Sequence, residues 1–197
     1  MRHHVLLLPL LLVLTAPADA QAPANAEQRR KMEAMMAAMQ PGPEHARLAQ
    51  LAGSWDVELS MWSPGGGAPM KAAAVAENEM ILGGRFLQSR LKGGQPPMQI
   101  ESLVLTGFDR RHGRYTTVGF DTWGTYYVTA AGGIEDSLIT MHGTDEDPIA
   151  GHTQVYDMNL RFVDADTYVT DVTFTDPVHA QGKGSFKAVE AVYRRRK

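Results

Sequence analysis

The sequence of 197 residues contains no cysteine. Disulfide bonds and thiolate metal sites are therefore excluded, and so is the lipidated cysteine that anchors a bacterial lipoprotein. Because no covalent cross-link is available, the fold must be stabilised by the packing of its side chains.

The sequence also lacks an excess of charge of either sign. Lys and Arg total 19 and Asp and Glu total 22, which gives a net charge of −3. The one compact basic run is residues 194–197, and this is too little for the basic surface that binds nucleic acid. Nucleic acid is therefore not an expected partner.

A run of about twenty apolar residues, the length that a membrane-spanning helix needs, is missing too. The nearest approach to it is residues 5–14, which follow the basic residue Arg2. Together with the small residues of Ala18-Asp19-Ala20, this stretch has the pattern of a cleaved signal peptide. The sequence predicts a signal peptide over 1–20, a mature chain that starts at Gln21, and a periplasmic or secreted protein without a membrane span.

A helical pattern follows the predicted cleavage site. The spacing i, i+3, i+4, i+7 places four methionines on one helical face: Met32, Met35, Met36 and Met39. We expect this Met-rich helix and a linker to occupy 21–42. A second short helix is predicted from Pro43, because proline suits the first turn of a helix.

From Trp55 onward the hydrophobic period changes from 3.6 to 2. Apolar residues alternate with polar ones from Trp55 to Met61, as is typical of a strand with one buried face. The same reading, with turns rich in Gly, Pro and Asp between the segments, predicts further strands at about 71–81, 85–91, 99–108, 114–120, 124–130, 137–142, 153–162, 167–174 and 184–194.

Most of the connections between these strands are of hairpin length, which leaves no room for crossover helices and implies antiparallel neighbours. A sheet this long avoids exposed edges by closing on itself. The sequence therefore predicts an all-β protein whose one domain, 43–197, is an antiparallel up-and-down barrel of about ten strands. One or two short N-terminal helices precede it.

Motifs for catalysis and for metal binding are missing from this domain. No serine lies in the strained turn that a serine hydrolase needs, and the acidic run 145–147 lacks the glycine and final glutamate of an EF-hand, so we expect it in a solvated loop. Five histidines are scattered without the spacing of a metal site: His45, His112, His142, His152 and His179. We therefore expect neither an enzyme nor a bound metal or cofactor.

A family resemblance rests on short motifs whose order and spacing agree with the family pattern: Pro41-Gly42-Pro43-Glu44-His45, Leu51-Ala52-Gly53-Ser54-Trp55, Leu82-Gly83-Gly84-Arg85-Phe86, Gly107-Phe108-Asp109 and Tyr193-Arg194-Arg195-Arg196. Residues 43–196 resemble the bacterial domain-of-unknown-function 1579 family. That family is regarded as lipocalin-like, so the resemblance implies a calycin-type barrel with no assigned activity.

The glycine-x-tryptophan of the first strand and the arginines of the last also resemble lipocalins and fatty-acid-binding proteins, in which such a tryptophan closes one barrel end beneath an arginine. The first and last strands must pair to close a barrel, and an arginine stacked on an indole contributes about 0.5–2 kcal/mol. We expect Trp55 with Arg194 or Arg196 to close the barrel. The alternative is that the C-terminal arginines form a solvated tail.

A barrel of this size has room for one ligand in its lumen. The favoured function is therefore the binding of a small apolar or amphipathic molecule. The alternating strands suggest the following ligand-binding residues, which alternatively form an ordinary core: Met80, Phe120, Tyr126, His142, Tyr156, Met158, Leu160 and Phe174.

Two other functions stay open. If His142 faces the cavity, its imidazole would anchor a ligand carboxylate or bind haem iron, as a barrel histidine does in the nitrobindin-like relatives of this architecture. His179, in the connection 175–184, is a second candidate for that role. A third hypothesis is that the flexible thioethers of the Met-rich helix bind a partner protein.

The signal-peptide pattern predicts that the exported protein begins at Gln21. Signal peptidase cleaves after a small residue that follows the apolar run, so N-terminal sequencing of the exported protein should return the sequence from Gln21. Recovery of Met1, or retention of the chain in washed membranes, would contradict this.

Overall fold

The computed structural model describes residues 22–64, 66–96, 99–149 and 151–197. The predicted signal peptide, 1–20, lies outside them. The chain divides into two compact units, one ending at Met39 and one beginning at Gln40. In the first, helix α1 occupies Ala22–Ala38. None of the helices in the described ranges is long and apolar enough to cross a membrane.

The second unit consists mostly of strands. In chain order its elements are α2 (Pro43–Ala49), β1 (Gly53–Met61), β2 (Met70–Ile81), β3 (Phe86–Gly93), β4 (Ile100–Asp109), β5 (Arg114–Asp121), β6 (Tyr127–Glu135), β7 (Leu138–Asp147), β8 (His152–Asp164), β9 (Thr167–Phe174), α3 (Pro177–Ala180) and β10 (Phe186–Arg195).

Each strand pairs antiparallel with the next strand along the chain, and β1 pairs with β10. The order β1-β10-β9-β8-β7-β6-β5-β4-β3-β2 is therefore a closed ring. The prediction of an antiparallel up-and-down barrel of about ten strands is confirmed.

Two strands end five residues beyond their predicted ends, whereas the others agree with the predicted ends to within two residues. β6 runs from Tyr127 to Glu135 rather than from 124 to 130. Gly132 pairs with Met141 of β7 at a point where a Cβ would overlap the carbonyl oxygen of Thr140, which only a glycine allows. β7 extends to Asp147 rather than ending at 142. The acidic run 145–147, expected in a loop, is instead the end of a strand paired with β8.

Helix α2 covers the end of the barrel at which β1 begins and β10 ends, which we call the α2 end. Leu48 and Leu51 are buried there. Arg47 donates a hydrogen bond to the carbonyl oxygen of Asp136 between β6 and β7, and its guanidinium lies 5.9 Å from the ring centroid of Phe162. These contacts fix α2 across the barrel end.

His45 holds the start of α2. Its Nδ1 accepts a hydrogen bond of 3.0 Å from the backbone N–H of Gly42, which keeps a donor at the helix start from being unsatisfied. Burial, assisted by Arg110 and Arg85 and opposed by Glu44, lowers the pKa of His45. A neutral imidazole is the form that can accept this bond.

Trp55 and Arg195 face each other across the seam between β1 and β10. Trp55 is only 1 % exposed, and the Arg195 guanidinium lies 4.2 Å from the centroid of its ring. The same guanidinium donates hydrogen bonds to the carbonyl oxygens of Gln50 at 2.7 Å, Ala52 at 2.8 Å and Ala165 at 3.2 Å. One side chain therefore links β10 to the segment after α2 and to the β8–β9 turn.

The cation over Trp55 is Arg195, so the expectation of Arg194 or Arg196 is wrong. Side chains alternate along a strand, and Arg195 is the residue of the terminal run that has the inward position. Arg194 is exposed. Arg196 lies outside the barrel and forms an ion pair of 3.0 Å with Asp56.

Gly53 makes room for this stacking. It begins β1 with φ of 124°, a conformation that favours glycine. A Cβ at this position would lie 2.8 Å from Nη1 of Arg195. The glycine two residues before Trp55 therefore admits the guanidinium that covers the indole.

We predict that Arg195→Ala lowers the free energy of unfolding by about 2–4 kcal/mol, because it removes both the cation–π contact and charged hydrogen bonds to backbone carbonyls. Arg196→Ala is the matched control and should cost at most about 1 kcal/mol, since it removes an exposed ion pair. Urea denaturation followed by tryptophan fluorescence measures both. Equal losses in the two variants would remove Arg195 from the closure role.

Candidate functional site

A cavity of about 150 Å³ lies inside the barrel. Much of its wall is apolar, with side chains from β3, β4, β7, β8 and β9: Leu87, Val104, Met141, Met158, Leu160 and Val172. A smaller part of the wall carries hydroxyl groups: Ser89, Thr106, Thr117, Tyr168, Thr170 and Tyr193. The cavity therefore suits an apolar molecule with a few hydrogen-bonding atoms.

The floor of the cavity is continuous with the tryptophan at the α2 end. Leu51, Tyr168 and Tyr193 all line the cavity. Tyr168 packs edge-on against Trp55, with ring centroids 4.7 Å apart, and stacks on Tyr193 with centroids 4.1 Å apart. Closure of the barrel and the shape of the cavity thus depend on one aromatic cluster.

A buried amide fixes this cluster. Nδ2 of Asn78 donates hydrogen bonds of 2.9 Å to the hydroxyl oxygen of Tyr168 and to the carbonyl oxygen of Leu51. Burial raises the pKa of the Tyr168 hydroxyl well above its usual value and also raises the pKa of Tyr193. Both phenols therefore remain neutral at physiological pH and line the cavity without charge.

Thr106 and Thr117 supply polar groups on another part of the wall. They are paired in register on β4 and β5, are both buried, and their hydroxyl oxygens lie 3.2 Å apart. A hydroxyl group in such a pair keeps further acceptor capacity. A ligand that carries one hydroxyl or amine group can use it without leaving a buried polar atom unpaired.

The residues that were predicted to bind the ligand fall into three groups in the structure: some line the cavity, some belong to the packed core, and some lie outside the barrel. Met158 and Leu160 line the cavity. Met80, Tyr156 and Phe174 face the interior and belong to the packed core, where the Tyr156 hydroxyl donates a hydrogen bond of 3.1 Å to the carbonyl oxygen of Thr129. These three follow the alternative that the sequence left open, ordinary core packing.

Phe120 and Tyr126 lie outside the barrel, so their expected place in the cavity is wrong. β5 buries Tyr115, Thr117 and Gly119, which turns Phe120 to the outer face, where it is 42 % exposed. Tyr126 precedes β6 and is 67 % exposed. Alternation along β5 was readable in the sequence, but which of its faces is inside was not.

His142 also lies outside the barrel. Its neighbour Met141 is buried and lines the cavity, so the imidazole of His142 points outward. Its Nδ1 lies 2.6 Å from a carboxylate oxygen of Asp157 on β8. The proposed role of His142 in holding a ligand or haem inside the barrel is therefore wrong.

A second polar group occupies the opposite end of the barrel, at which β8 begins and β9 ends, which we call the α3 end. Here Oδ1 of Asp176 accepts hydrogen bonds from the backbone N–H groups of Val178 and His179 at the start of α3. Nδ1 of His179 lies 2.9 Å from Oδ2 of Asp176, and Nε2 of His152 lies 3.9 Å from Oδ1.

Sequence reasoning noticed His179 but missed its two partners. His152 begins β8 and Asp176 follows β9, so the antiparallel pairing of these strands brings them together. The sequence did contain a signal for α3 in Asp176-Pro177, because an aspartate followed by proline is typical of a capped helix start.

Burial alone would raise the pKa of Asp176, but hydrogen bonds from His179 and Val155 outweigh it and hold that pKa below its usual value.

Comparison with known proteins gives one family match. A sequence model for the family described as Protein of unknown function (DUF1579) matches residues 40–195. No curated protein matches the chain. Among solved structures, a redesigned β-barrel is 13 % identical to the chain, the match covers 76 % of this chain and 95 % of that one, and the TM-score is 0.37.

The buried phenols predict a loss of stability in alkali. Because the pKa values of Tyr168 and Tyr193 are raised in the folded state, the unfolded chain loses these protons first, near pH 10. Their contribution is complete below about pH 10 and is lost as the pH rises towards the folded-state pKa. Urea unfolding at increasing pH should therefore show a falling free energy of unfolding.

Tyr168→Phe should make this decline shallower. Tyr126→Phe, which removes a tyrosine that is 67 % exposed, is the matched control and should keep the wild-type slope. An unchanged slope in Tyr168→Phe would show that this phenol is not shielded from water.

Proposed function

This chain belongs to the family of proteins of unknown function DUF1579, and we propose that its barrel binds one small apolar or amphipathic molecule. The observation that carries the proposal is the cavity of about 150 Å³ with a largely apolar wall inside the barrel. A space of this kind in an otherwise packed interior costs stability. A function in binding explains why it is retained.

The cavity volume limits the size of the ligand. Apolar cavities of about 150 Å³ bind benzene, whereas drug-sized molecules occupy roughly 300–1,000 Å³. The ligand class that fits is therefore a single ring or a short chain. A haem is larger than the cavity, and neither His142 nor His179 lines it, so the geometry does not favour the haem hypothesis.

The hydroxyl groups of the cavity wall narrow the class of ligand further. Thr106, Thr117 and Thr170 provide both donors and acceptors within an apolar surface. A molecule with one polar atom, such as a phenol or a short-chain alcohol, gains a hydrogen bond that a pure hydrocarbon does not. The carboxylate of a fatty acid would have no cationic partner, because no Lys, Arg or His is among the described lining residues. A neutral ligand therefore fits better than an anionic one.

The signal-peptide pattern supports a place for this function outside the cytoplasm. Under this proposal the protein is exported and meets its ligand in the periplasm or the medium. The family resemblance to lipocalin-like barrels supports the same class of function. The hypothesis that the Met-rich helix binds a partner protein stays a separate prediction.

Toluene and phenol test the proposal as single-ring probes of the folded protein. Binding to the folded state alone stabilises that state by an amount that grows with the logarithm of the ligand concentration above Kd, so the melting temperature should rise as either probe is added. Isothermal titration calorimetry should then give one site per chain. A melting temperature that neither probe changes would overturn the proposal.

Met158→Trp should weaken binding of both probes at least about tenfold, because the larger side chain fills the cavity. A close-packed interior would instead be destabilised by about 1–3 kcal/mol. Phe120→Trp is the matched control, since Phe120 lies on the outer face, and it should leave both affinities unchanged. Should Met158→Trp fail to fold, Val104→Met makes the same test with a smaller added volume.

A further inference from the structure

We propose that His152, Asp176 and His179 form a binding site for a divalent transition-metal ion, with Zn²⁺ as the ion that fits best. The site lies at the α3 end of the barrel and is separate from the cavity that the proposed function uses. It does not depend on that function.

The donor set agrees with zinc chemistry. Each of the three residues offers one ligand atom, and these atoms all lie within 4.8 Å of one another. Two imidazole nitrogens with one carboxylate oxygen are the protein ligands of many zinc sites that keep a fourth position open. Within the described ranges, this is the one such group of three or more His, Cys, Asp or Glu side chains.

The distances are close to those that coordination requires. With Zn–N and Zn–O bonds of about 2.0–2.2 Å, the donor atoms of a tetrahedral site are roughly 3.3 Å apart. In the structure, Nδ1 of His179 lies 2.9 Å from Oδ2 of Asp176, and Nε2 of His152 lies 3.9 Å from Oδ1 of the same carboxylate. The donor atoms, all within 4.8 Å of one another, must therefore move closer together when an ion is bound.

His152 supplies the observation that points to a ligand. Its Nε2 is buried and has no hydrogen-bond partner among the described residues, and 3.9 Å to Asp176 is too long for a hydrogen bond. A buried polar atom without a partner costs about 1–3 kcal/mol unless something satisfies it. A cation held between His152 and Asp176 would provide the missing partner.

The other two ligands are held in place. The Asp176 carboxylate accepts hydrogen bonds from the backbone N–H groups of Val178, His179 and Val155. The His179 ring stacks on Phe174 with centroids 4.2 Å apart. Such supporting contacts orient metal ligands and reduce the cost of organising them on binding.

Burial distinguishes this group from the other histidine–carboxylate pairs. His142 with Asp157 and His112 with Asp109 each bring one imidazole to one carboxylate at 2.6 Å, and these imidazoles are 70 % and 57 % exposed. The side chains of His152 and His179 are only 19 % and 21 % exposed, and that of Asp176 only 2 %. The exposed pairs provide two ligands each and serve as internal controls.

The test is isothermal titration calorimetry of Zn²⁺ into the mature protein, stripped of metal with a chelator and free of any histidine tag. We expect one saturable site per chain. His152→Gln, His179→Gln and Asp176→Asn should each weaken it at least about tenfold. His142→Gln is the matched control and should bind Zn²⁺ as the wild type does.

These variants are chosen to keep the fold. Nε2 of His152 makes no hydrogen bond that glutamine would lose, so the melting temperature of metal-free His152→Gln should match the wild type and its lost affinity reports ligation. Asp176→Asn keeps a cap oxygen for α3 but loses an acceptor for Val155, and His179→Gln loses the stacking on Phe174. Zn²⁺ binding to these two variants is therefore measured at a temperature at which circular dichroism shows each of them folded. Co²⁺ in place of Zn²⁺ should give a visible ligand-field spectrum that His152→Gln abolishes.

Two results would overturn the proposal. One is the absence of saturable Zn²⁺ binding to the wild type, which would mean that water satisfies Nε2 of His152. The other is equal Zn²⁺ affinity in the wild type, His152→Gln and His179→Gln, which would place the ion elsewhere. Neither result bears on the binding of toluene or phenol in the cavity.

Discussion

The barrel exists only while β1 and β10 remain paired, because all its other strand pairs join neighbours along the chain. Arg195 stabilises that seam: it stacks on Trp55 across it and donates hydrogen bonds to backbone carbonyls from two other parts of the fold. A guanidinium suits this role because its planar face packs on an indole while its edge donates several hydrogen bonds. One residue thus joins the last strand to the first, to the segment after α2 and to the β8–β9 turn.

The interior follows from this closure. Tyr168 packs on Trp55 and stacks on Tyr193, so the aromatic cluster that closes the α2 end is also the floor of the cavity. Asn78 satisfies the buried Tyr168 hydroxyl and the Leu51 carbonyl together. The cavity is bordered at this end by Leu51, Tyr168 and Tyr193. The α3 end carries the polar cluster of His152, Asp176 and His179 instead.

Strand periodicity and short connections were sufficient to predict an antiparallel barrel and most strand positions. They were less informative about which face of each strand points into the barrel. Alternation along β8 indicated correctly that Met158 and Leu160 face the interior, because the other face of that strand is mostly polar. It failed for Phe120, since β5 has hydroxyl and apolar groups on both faces and a glycine, Gly119, on the inner one. The reason differs for His142: on β7 the buried residues are Ile139, Met141 and Gly143, so the face that His142 shares with Leu138 and Thr140 is the outer one.

The sequence by itself determined the period of the strands, the closed topology and the Gly-x-Trp at the first strand, because these depend on local spacing and turn chemistry. Only the tertiary structure decided that Arg195 rather than its neighbours covers Trp55, since strand register sets which residue of 194–196 points inward. It also decided which interior residues line the cavity, because the cavity is the space that the inward side chains of all ten strands together leave unfilled. The meeting of His152 with Asp176 and His179 needed the pairing of β8 with β9, which brings together residues far apart in the chain.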